Sequence, residues 1–330
     1  MRSLLIGAGG HGGDTLLPAA CSAGLPLSAL VDLDIERAKQ LATQWMIPQV
    51  YASAGEVDTT VFDTALIALP VTQQAVHAAW AFNAGLHTFV EKPPSPDPEG
   101  LRSLVALAGE AGVTCCVGMN FRWAEGVRQL LGALESGLYG TASCVRVEHI
   151  AGKPVTRFGP ELSMEASLFA AQGIHAIDLA QMILPGLSRT TGQMISVERG
   201  RLCSMVSSDP RAGTRMEVQF GSCAAGFYHS VHVTTSRGDL LHLRDLSELQ
   251  LRPSGSDPHV AEYPGARVLW RRSPTSNGYA HAGYSHELAA FRDLLRGGTA
   301  PRRLARLDDL LPVYEAFDAL LTAEGLSWTT

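Results

Sequence analysis

The stretch Gly7-Ala8-Gly9-Gly10-His11-Gly12 decides the fold of this chain. Its glycines match the pattern GxGxxG, which is a weak signal when it occurs alone. Here the apolar segment 3–6 precedes the turn, and the segment 16–23, with helical spacing, follows it. Asp32 ends the next predicted strand, 20 residues after Gly12. This arrangement predicts a dinucleotide-binding strand–turn–helix unit.

Each position of the turn has a physical reason. Gly7 permits the tight turn, Gly9 lets the backbone approach a pyrophosphate, and Gly12 lets the helix pack closely on the strand. The helix then presents free N–H groups and a positive dipole end to the phosphates. The Asp32 carboxylate can accept hydrogen bonds from ribose hydroxyls and would repel a 2′-phosphate. NAD is therefore favoured over NADP, although Arg37 nearby could reduce that preference.

Strand and helix signals alternate up to Gly118. Apolar strand segments are predicted at 27–31, 64–69, 87–90 and 113–117, and helices lie between them. This alternation predicts a doubly wound parallel sheet with helices on both faces. We therefore expect an N-terminal Rossmann domain at residues 1–118.

The pattern changes in residues 119–330, which we expect to form a second domain. Runs of strands without intervening helices indicate an antiparallel or mixed sheet. Predicted strands are 142–149, 193–199, 214–220, 224–234 and 239–243, and predicted helices are 126–136, 173–183, 286–296 and 307–323. Residues 252–283 are rich in Pro, Gly and Ser and are predicted to form a long loop.

Composition excludes several functional classes. The 330 residues are 46% hydrophobic and 18% charged, as in globular proteins, and the net charge is -6. A mildly acidic chain is a poor partner for nucleic acid or an anionic membrane. No run approaches the ~18 apolar residues of a membrane span, and the six cysteines form no CxxC pair. We expect a soluble cytoplasmic protein with reduced cysteines and no metal site.

Further motifs add a family resemblance that spans nearly the whole chain. With the glycine turn, the chain resembles the glucose–fructose oxidoreductase / inositol dehydrogenase / MocA (Gfo/Idh/MocA) family. The matching landmarks, in order, are VDLD at 31–34, ALPVTQQAVHAAW at 68–80, AGLHTFVEKP at 84–93, GMNFR at 118–122, GIHAID at 173–178 and YSHELAAFRDLL at 284–295.

The resemblance implies a C-terminal domain of α+β type with a large open, mostly antiparallel sheet. Because that sheet often forms the subunit interface, a homodimer or homotetramer is implied. The resemblance also implies that Lys92 lies beside the nicotinamide and that the Lys92–Pro93 bond is cis. Further cofactor contacts are expected from Gly10, His11, Leu69, Pro70, Glu91 and Asn120.

Three residues are the candidates for catalysis. An ammonium such as that of Lys92 can stabilise negative charge on a carbonyl oxygen and donate a proton. His175 matches the family's frequent acid/base, and Asp178 lies one helical turn further along the same face. The family commonly has an aspartate four residues before that histidine, where this chain has Ala171. Lys92 and His175 could suffice, or Glu165 or Gln172 could replace the aspartate.

The substrate candidates are less specific. Arg122 could hold an anionic or hydroxyl-rich molecule, but an arginine paired to a nearby carboxylate for structural reasons is about equally expected. Gln172 and Tyr284 are further candidates for lining the substrate site. His77 and His87 match family positions and are expected to support structure.

Three functions fit these observations. The first is an NAD(P)-dependent oxidoreductase acting on a sugar, a cyclitol or a related small alcohol or ketone. The second keeps the hydride transfer but reduces C=N bonds, which Ala171 favours because an imine needs less help from an aspartate–histidine pair. The third is a dinucleotide-binding sensor without catalysis, against which Lys92 and His175 argue.

Overall fold

The computed structural model describes residues 1–186, 189–255, 265–276 and 278–330. The chain divides into two compact units. The first comprises Met1–Trp123 and Gly278–Pro312, and the second comprises Ala124–Asn277 and Val313–Thr330. The predicted long loop at 252–283 is wrong in part, because it contains a strand and a short helix; its residues 256–264 and 277 lie outside the described residues.

The first unit contains a parallel sheet of six strands. The strands are β1 (Ser3–Ile6), β2 (Leu27–Val31), β3 (Gln49–Tyr51), β4 (Thr64–Ile67), β5 (His87–Glu91) and β6 (Cys115–Gly118). Their order across the sheet is β3-β2-β1-β4-β5-β6, and every pairing is parallel. This is the doubly wound order of a Rossmann fold, so the predicted N-terminal fold is confirmed.

Helices connect these strands, and their ends follow the sequence. A π-helical turn (Gly12–Leu16) continues into α1 (Leu17–Ser22), followed by α2 (Ile35–Trp45), α3 (Val71–Asn83) and α4 (Pro98–Ala111). The Asp34 carboxylate accepts the backbone N–H of Arg37 and caps α2. Asp97 caps α4 in the same way, with Pro98 at its first position and Gly112 in the left-handed region after its end.

The first unit is completed by a segment from the far end of the sequence. Helices α8 (Gly278–His281) and α9 (Tyr284–Leu295) belong to it. Leu288 and Phe291 of α9 are fully buried, and the Phe291 ring lies 5.6 Å from that of Phe89. The sequence assigned everything after residue 118 to the second domain. The apolar face of α9 instead packs on α1 and the first sheet.

The second unit contains eight strands in one sheet. They are β7 (Ala142–Ile150), β8 (Arg189–Val197), β9 (Gly200–Asp209), β10 (Thr214–Gly221), β11 (Tyr228–Thr235), β12 (Leu240–Arg244), β13 (Glu248–Arg252) and β14 (Arg267–Arg271). Their order is β14-β13-β12-β11-β7-β10-β9-β8, and only the β7–β10 pairing is parallel. The expected large, mostly antiparallel sheet is confirmed.

Three of these strands were absent from the predictions. Strands β9, β13 and β14 lie in stretches whose charged, serine and glycine residues obscure the apolar alternation. In β9 the alternation is visible afterwards, because Cys203, Met205 and Ser207 are buried while their neighbours are half-buried. Such strands are fixed by pairing with their neighbours rather than by intrinsic preference.

The helices of the second unit pack on this sheet around an aromatic cluster. They are α5 (Glu125–Glu135), α6 (Met164–Leu168), a π-helical turn (Phe169–Gly173), α7 (Ile174–Ile183) and α10 (Leu311–Ala323), which begins two residues before the unit boundary. The Phe169 ring lies 4.9 Å from those of Tyr314 and Phe317 and 5.1 Å from that of Trp328. No helix within the described ranges has the length and apolar character needed to cross a membrane.

The aromatic cluster predicts a large stability effect. Phe317→Ala removes a fully buried ring that touches Phe169 and Trp328, so we expect the free energy of unfolding to fall by about 3–5 kcal/mol. Urea denaturation followed by near-UV circular dichroism measures this. Phe158→Ala is the control, because Phe158 is 41% exposed and its loss should change the value by less than about 0.5 kcal/mol. Equal effects of the two variants would contradict the assigned core.

Candidate dinucleotide and catalytic site

The glycine turn after β1 depends on two close backbone approaches. Gly7 has φ +94°, and a Cβ there would lie 2.2 Å from the carbonyl oxygen of Ala68. A Cβ on Gly12 would lie 1.9 Å from the carbonyl oxygen of Gly7. Both distances are far below van der Waals contact, so only glycine permits this packing of the turn against β4 and the following helix.

The middle of the turn is open. A Cβ on Gly9 would meet nothing within 4 Å, and one on Gly10 would meet only an Asp14 carboxylate oxygen at 4.0 Å. The absence of side chains at these two positions therefore leaves backbone exposed to an approaching ligand. The chain has the cradle that a pyrophosphate group requires, and the residues present fit a dinucleotide.

Asp32 follows β2 and holds the glycine turn. One of its carboxylate oxygens accepts the backbone N–H of Ala8 at 2.6 Å, and the other accepts that of Asp34 at 2.8 Å. Each oxygen keeps a further lone pair for a ribose hydroxyl. The turn is therefore fastened from outside by the residue that is predicted to bind the ribose.

Arg37 is directed at the same turn. Its Nε donates to the carbonyl oxygen of Ala8 at 2.7 Å, and its Nη2 lies 3.3 Å from the Asp14 carboxylate. The sequence left open whether Arg37 could receive a 2′-phosphate. In the structure its guanidinium is bonded to the loop. The two charged side chains that hold Ala8 are therefore the Asp32 carboxylate and an arginine that is already paired with Asp14.

Lys92 lies just beyond the carboxyl end of β5. It is half-buried between Glu91 and Pro93, and the Lys92–Pro93 peptide bond is cis, as expected. The Nε2 of Gln74, which is buried on α3, donates to the carbonyl oxygen of Pro93 at 3.2 Å and fixes this turn. Burial lowers the pKa of the Lys92 ammonium, while the charge of Glu91 opposes that shift. A lysine with a lowered pKa is suited to donate a proton.

Three predicted residues form a cluster at this edge of the sheet. The Nε2 of His11 lies 3.2 Å from the buried Oε1 of Glu91, and the His11 ring meets the Tyr284 ring edge-on at 5.7 Å. Burial lowers the pKa of His11, but the charge of Glu91 and the hydrogen bond to its carboxylate together outweigh burial, so that the pKa lies above its usual value. Burial also raises the pKa of Tyr284, with a further rise from Glu91 and Glu287.

The remaining predicted residues of the first unit also follow strand ends. Leu69 is half-buried against Gly7, and Pro70 precedes α3. The Nδ2 of Asn120 donates to the carbonyl oxygen of Ala282 at 2.8 Å. Arg122 is buried, and its Nη1 lies 3.7 Å from the Asp309 carboxylate. An arginine paired to a nearby carboxylate is the structural role that the sequence offered as the alternative to substrate binding.

The other catalytic candidates belong to the second unit. His175 and Asp178 are buried on α7, 4% and 3% exposed, in the first turns after the π-helical turn. Local π-helical geometry occurs frequently at functional sites. The two proposed substitutes for the family aspartate are bonded elsewhere. The Nε2 of Gln172 donates to the carbonyl oxygen of Lys153, and Glu165 pairs with Arg201 at 3.2 Å.

Two histidines near His175 were not among the predicted site residues. His149 on β7 is buried, and its ring lies perpendicular to that of His175 at 6.5 Å. The Nδ1 atoms of His149 and His229 lie 3.3 Å apart, so that one imidazole donates and the other accepts. The two histidines are direct cross-strand partners on β7 and β11. The sequence does not predict this pairing because it depends on the register of the two strands. Within the described residues, no group of acidic, His and Cys side chains could hold a metal ion.

Two supporting residues of the first unit were also missed. They are Gln74, whose amide donates to Pro93, and Glu287. Glu287 is fully buried, and its Oε1 accepts the backbone N–H of Met119 at 2.7 Å. The sequence signal for Gln74 and Glu287 was a polar residue on the apolar face of a predicted helix.

His87 accepts the backbone N–H of Thr114 through Nδ1 at 3.0 Å. This contact agrees with the supporting role that was expected for His87.

Comparisons with known proteins agree with this architecture. The chain is 28% identical over 208 residues to the putative oxidoreductase YceM of Salmonella typhimurium, covering 62% of this chain and 64% of that protein. It is 27% identical over 168 residues to a D-apiose dehydrogenase of Paraburkholderia graminis, covering 50% and 45%. The matched part is thus less than two thirds of the length of either relative.

Solved structures extend the likeness to both units. The crystal structure of a dehydrogenase from Chromobacterium violaceum superposes with a TM-score of 0.89 at 25% identity, covering 98% of this chain and 94% of the other. Residues 1–119 match the model of an oxidoreductase family with an NAD-binding Rossmann fold. On this match, residues 1–119 are similar to the NAD-binding Rossmann domain of the Gfo/Idh/MocA oxidoreductases, and the whole chain has the fold of the Chromobacterium violaceum dehydrogenase.

Proposed function

We propose that this chain is an NAD(P)-dependent oxidoreductase that transfers a hydride between the nicotinamide and a carbon of a sugar, a cyclitol or a related small molecule. The first unit binds the dinucleotide, and the second binds the substrate. The observation that carries this proposal is the half-buried Lys92, which lies at the same carboxyl edge of the sheet as the open glycine turn. Ligands of open α/β sheets bind at that edge.

When bound, the dinucleotide supplies or accepts the hydride. Residues 7–12 would hold its pyrophosphate, Asp32 would hold its ribose, and Leu69, Pro70 and Asn120 would flank it. The Lys92 ammonium stabilises the charge that develops on the substrate oxygen and donates a proton to it. Because the carbonyl takes up only this one proton besides the hydride, His175 would act as the relay through which the proton exchanges with the substrate oxygen, and Asp178 would orient the imidazole. Similarity to a D-apiose dehydrogenase supports a polyhydroxylated substrate.

The fixed charges near Asp32 support NAD as the main cofactor. A 2′-phosphate would meet the Asp32 carboxylate, and the nearest arginine, Arg37, already contacts Ala8 and Asp14. NADP binding therefore requires either a movement of Arg37 or a change at Asp32. We propose NAD first and NADP as a weaker alternative.

The alanine at position 171 supports a second substrate class. Ala171 carries no carboxylate, and Gln172 and Glu165 are bonded to Lys153 and Arg201. A C=N bond that is already protonated needs less acid catalysis than a ketone. Screening sugars, cyclitols and cyclic imines side by side with NADH and NADPH distinguishes the two classes. A chain that binds NADH but turns over neither class is a dinucleotide sensor.

Dinucleotide binding is tested at Gly9. Gly9→Ala places a methyl group in open space where the pyrophosphate approaches. We expect the melting temperature to stay unchanged while the Kd for NADH rises at least about tenfold, or ~1.4 kcal/mol. Fluorescence titration measures this. Gly109→Ala on α4, whose Cβ also meets nothing within 4 Å, should bind as the wild type does. Wild-type affinity in Gly9→Ala would contradict the proposed pyrophosphate site.

Turnover is tested at Lys92. Lys92→Ala removes the ammonium, and we expect kcat to fall about 10²–10⁴-fold while NADH affinity is nearly retained. Steady-state kinetics with the best substrate from the screen gives both values. Lys39→Ala is the matched control. Lys39 is an exposed lysine on α2 whose ammonium pairs with Glu36 on the same helix. A Lys92→Ala variant with undiminished kcat would rule out Lys92 as the proton donor.

We also propose a cytoplasmic homodimer or homotetramer formed through the sheet of the second unit. Along β7, β9 and β10, alternate residues are exposed or half-buried. Arg146 and Arg215 hold Glu217 at 2.6 and 2.7 Å on that face. The six free cysteines agree with a reducing compartment.

Light scattering tests the assembly. We expect a mass of two or four times 35.2 kDa, and Val206→Glu on this face should shift it toward the single chain because a buried unpaired charge is costly. Leu138→Glu, at a position 67% exposed, should leave the mass unchanged. A wild-type mass of one chain would refute the assembly.

A further inference from the structure

We propose that His11 is the counter-ion of Glu91 and that the dinucleotide binds preferentially to the protein in which His11 is protonated, so that binding takes up a proton. This inference rests on the proposed dinucleotide-binding function. It assigns to the variable fifth residue of the glycine turn an electrostatic role that the GxGxxG pattern does not contain.

The first observation is the position of Glu91. Its side chain is 6% exposed at the end of β5, and its carboxylate lies so close to Gly118 that a Cβ there would be 2.9 Å away. One of its oxygens is 3.3 Å from the backbone N–H of Lys92. A buried carboxylate at the edge of the sheet where an anion is to bind is unfavourable unless a cation compensates it.

The second observation is that His11 is fixed against this carboxylate. Its Nε2 lies 3.2 Å from Oε1 of Glu91, and the Tyr284 ring packs edge-on against the imidazole from α9. The charged and titratable groups that face it are Glu91 and Lys92 from β5 and the following turn, and Tyr284 from α9. His11 is still 44% exposed through its side chain, so it can exchange protons with solvent.

Binding of the dinucleotide is linked to the protonation of His11. Glu91 already raises the pKa of His11 above its usual value in the free protein. A pyrophosphate bound in the same turn adds negative charge and raises that pKa further. Between the two pKa values the complex holds more protons than the free protein does, so affinity falls as pH rises through this window. Below and above this window the titration of His11 no longer makes the affinity depend on pH.

Calorimetric titration with NADH tests the inference. Titrations from pH 6.5 to 9 in phosphate and Tris, which differ in ionisation enthalpy, give the number of protons taken up. For the wild-type protein we expect uptake of up to one proton and a Kd that rises by about tenfold for each unit by which NADH raises the pKa of His11. His11→Gln, which keeps a donor toward Glu91, should bind NADH without this uptake. Glu91→Gln should move the window to lower pH.

Controls separate the possible outcomes. His77→Gln, on the outer part of α3 where Nδ1 contacts only its own helix at Gln73, should take up protons as the wild type does. NADH binding without proton uptake in the wild type, or equal uptake by His11→Gln, overturns the inference and leaves the proposed function intact. Failure of every variant to bind NADH or NADPH overturns both. The C2–H resonance of His11, followed with and without NADH, reports its pKa directly.

Discussion

The approach of Gly12 to the carbonyl oxygen of Gly7 is the constraint on which the first unit depends. It brings a helix against the end of β1 more closely than any side chain allows. Asp32 and Arg37 then fasten the turn through the N–H and the carbonyl oxygen of Ala8. The same geometry that closes the turn leaves its middle open, so packing and ligand access arise from one arrangement.

The carboxyl edge of the first sheet collects most of the predicted chemistry because parallel strands all end there. Five predicted residues lie at or just after the ends of five different strands, which is why the sequence could place them at this edge: Gly7, Asp32, Leu69, Glu91 and Asn120. What surrounds them could not be assigned. The bond from Gln74 to Pro93, the burial of Glu287 beneath Met119 and the contact of His11 with Glu91 depend on distances that exist only after folding.

The second unit was less predictable for a related physical reason. Its main helices and five of its strands followed apolar periodicity, but β9, β13 and β14 are stabilised by their neighbours in the sheet. The pairing of His149 with His229 likewise follows from strand register, which the spacing of residues within one strand does not reveal. The resemblance of GIHAID made His175 a candidate, whereas no sequence signal pointed to the imidazole of His149 beside it.

The return of residues 278–312 to the first unit has a consequence for how the protein can be divided. Phe89 and the end of α1 are covered by α9, which begins at Tyr284, far along the chain from Gly118, where the last strand of this sheet ends. A fragment cut after residue 118 would carry an uncovered apolar surface and would tend to aggregate. The dinucleotide-binding half is therefore an entity of the folded polypeptide rather than a contiguous module that a single cleavage could release.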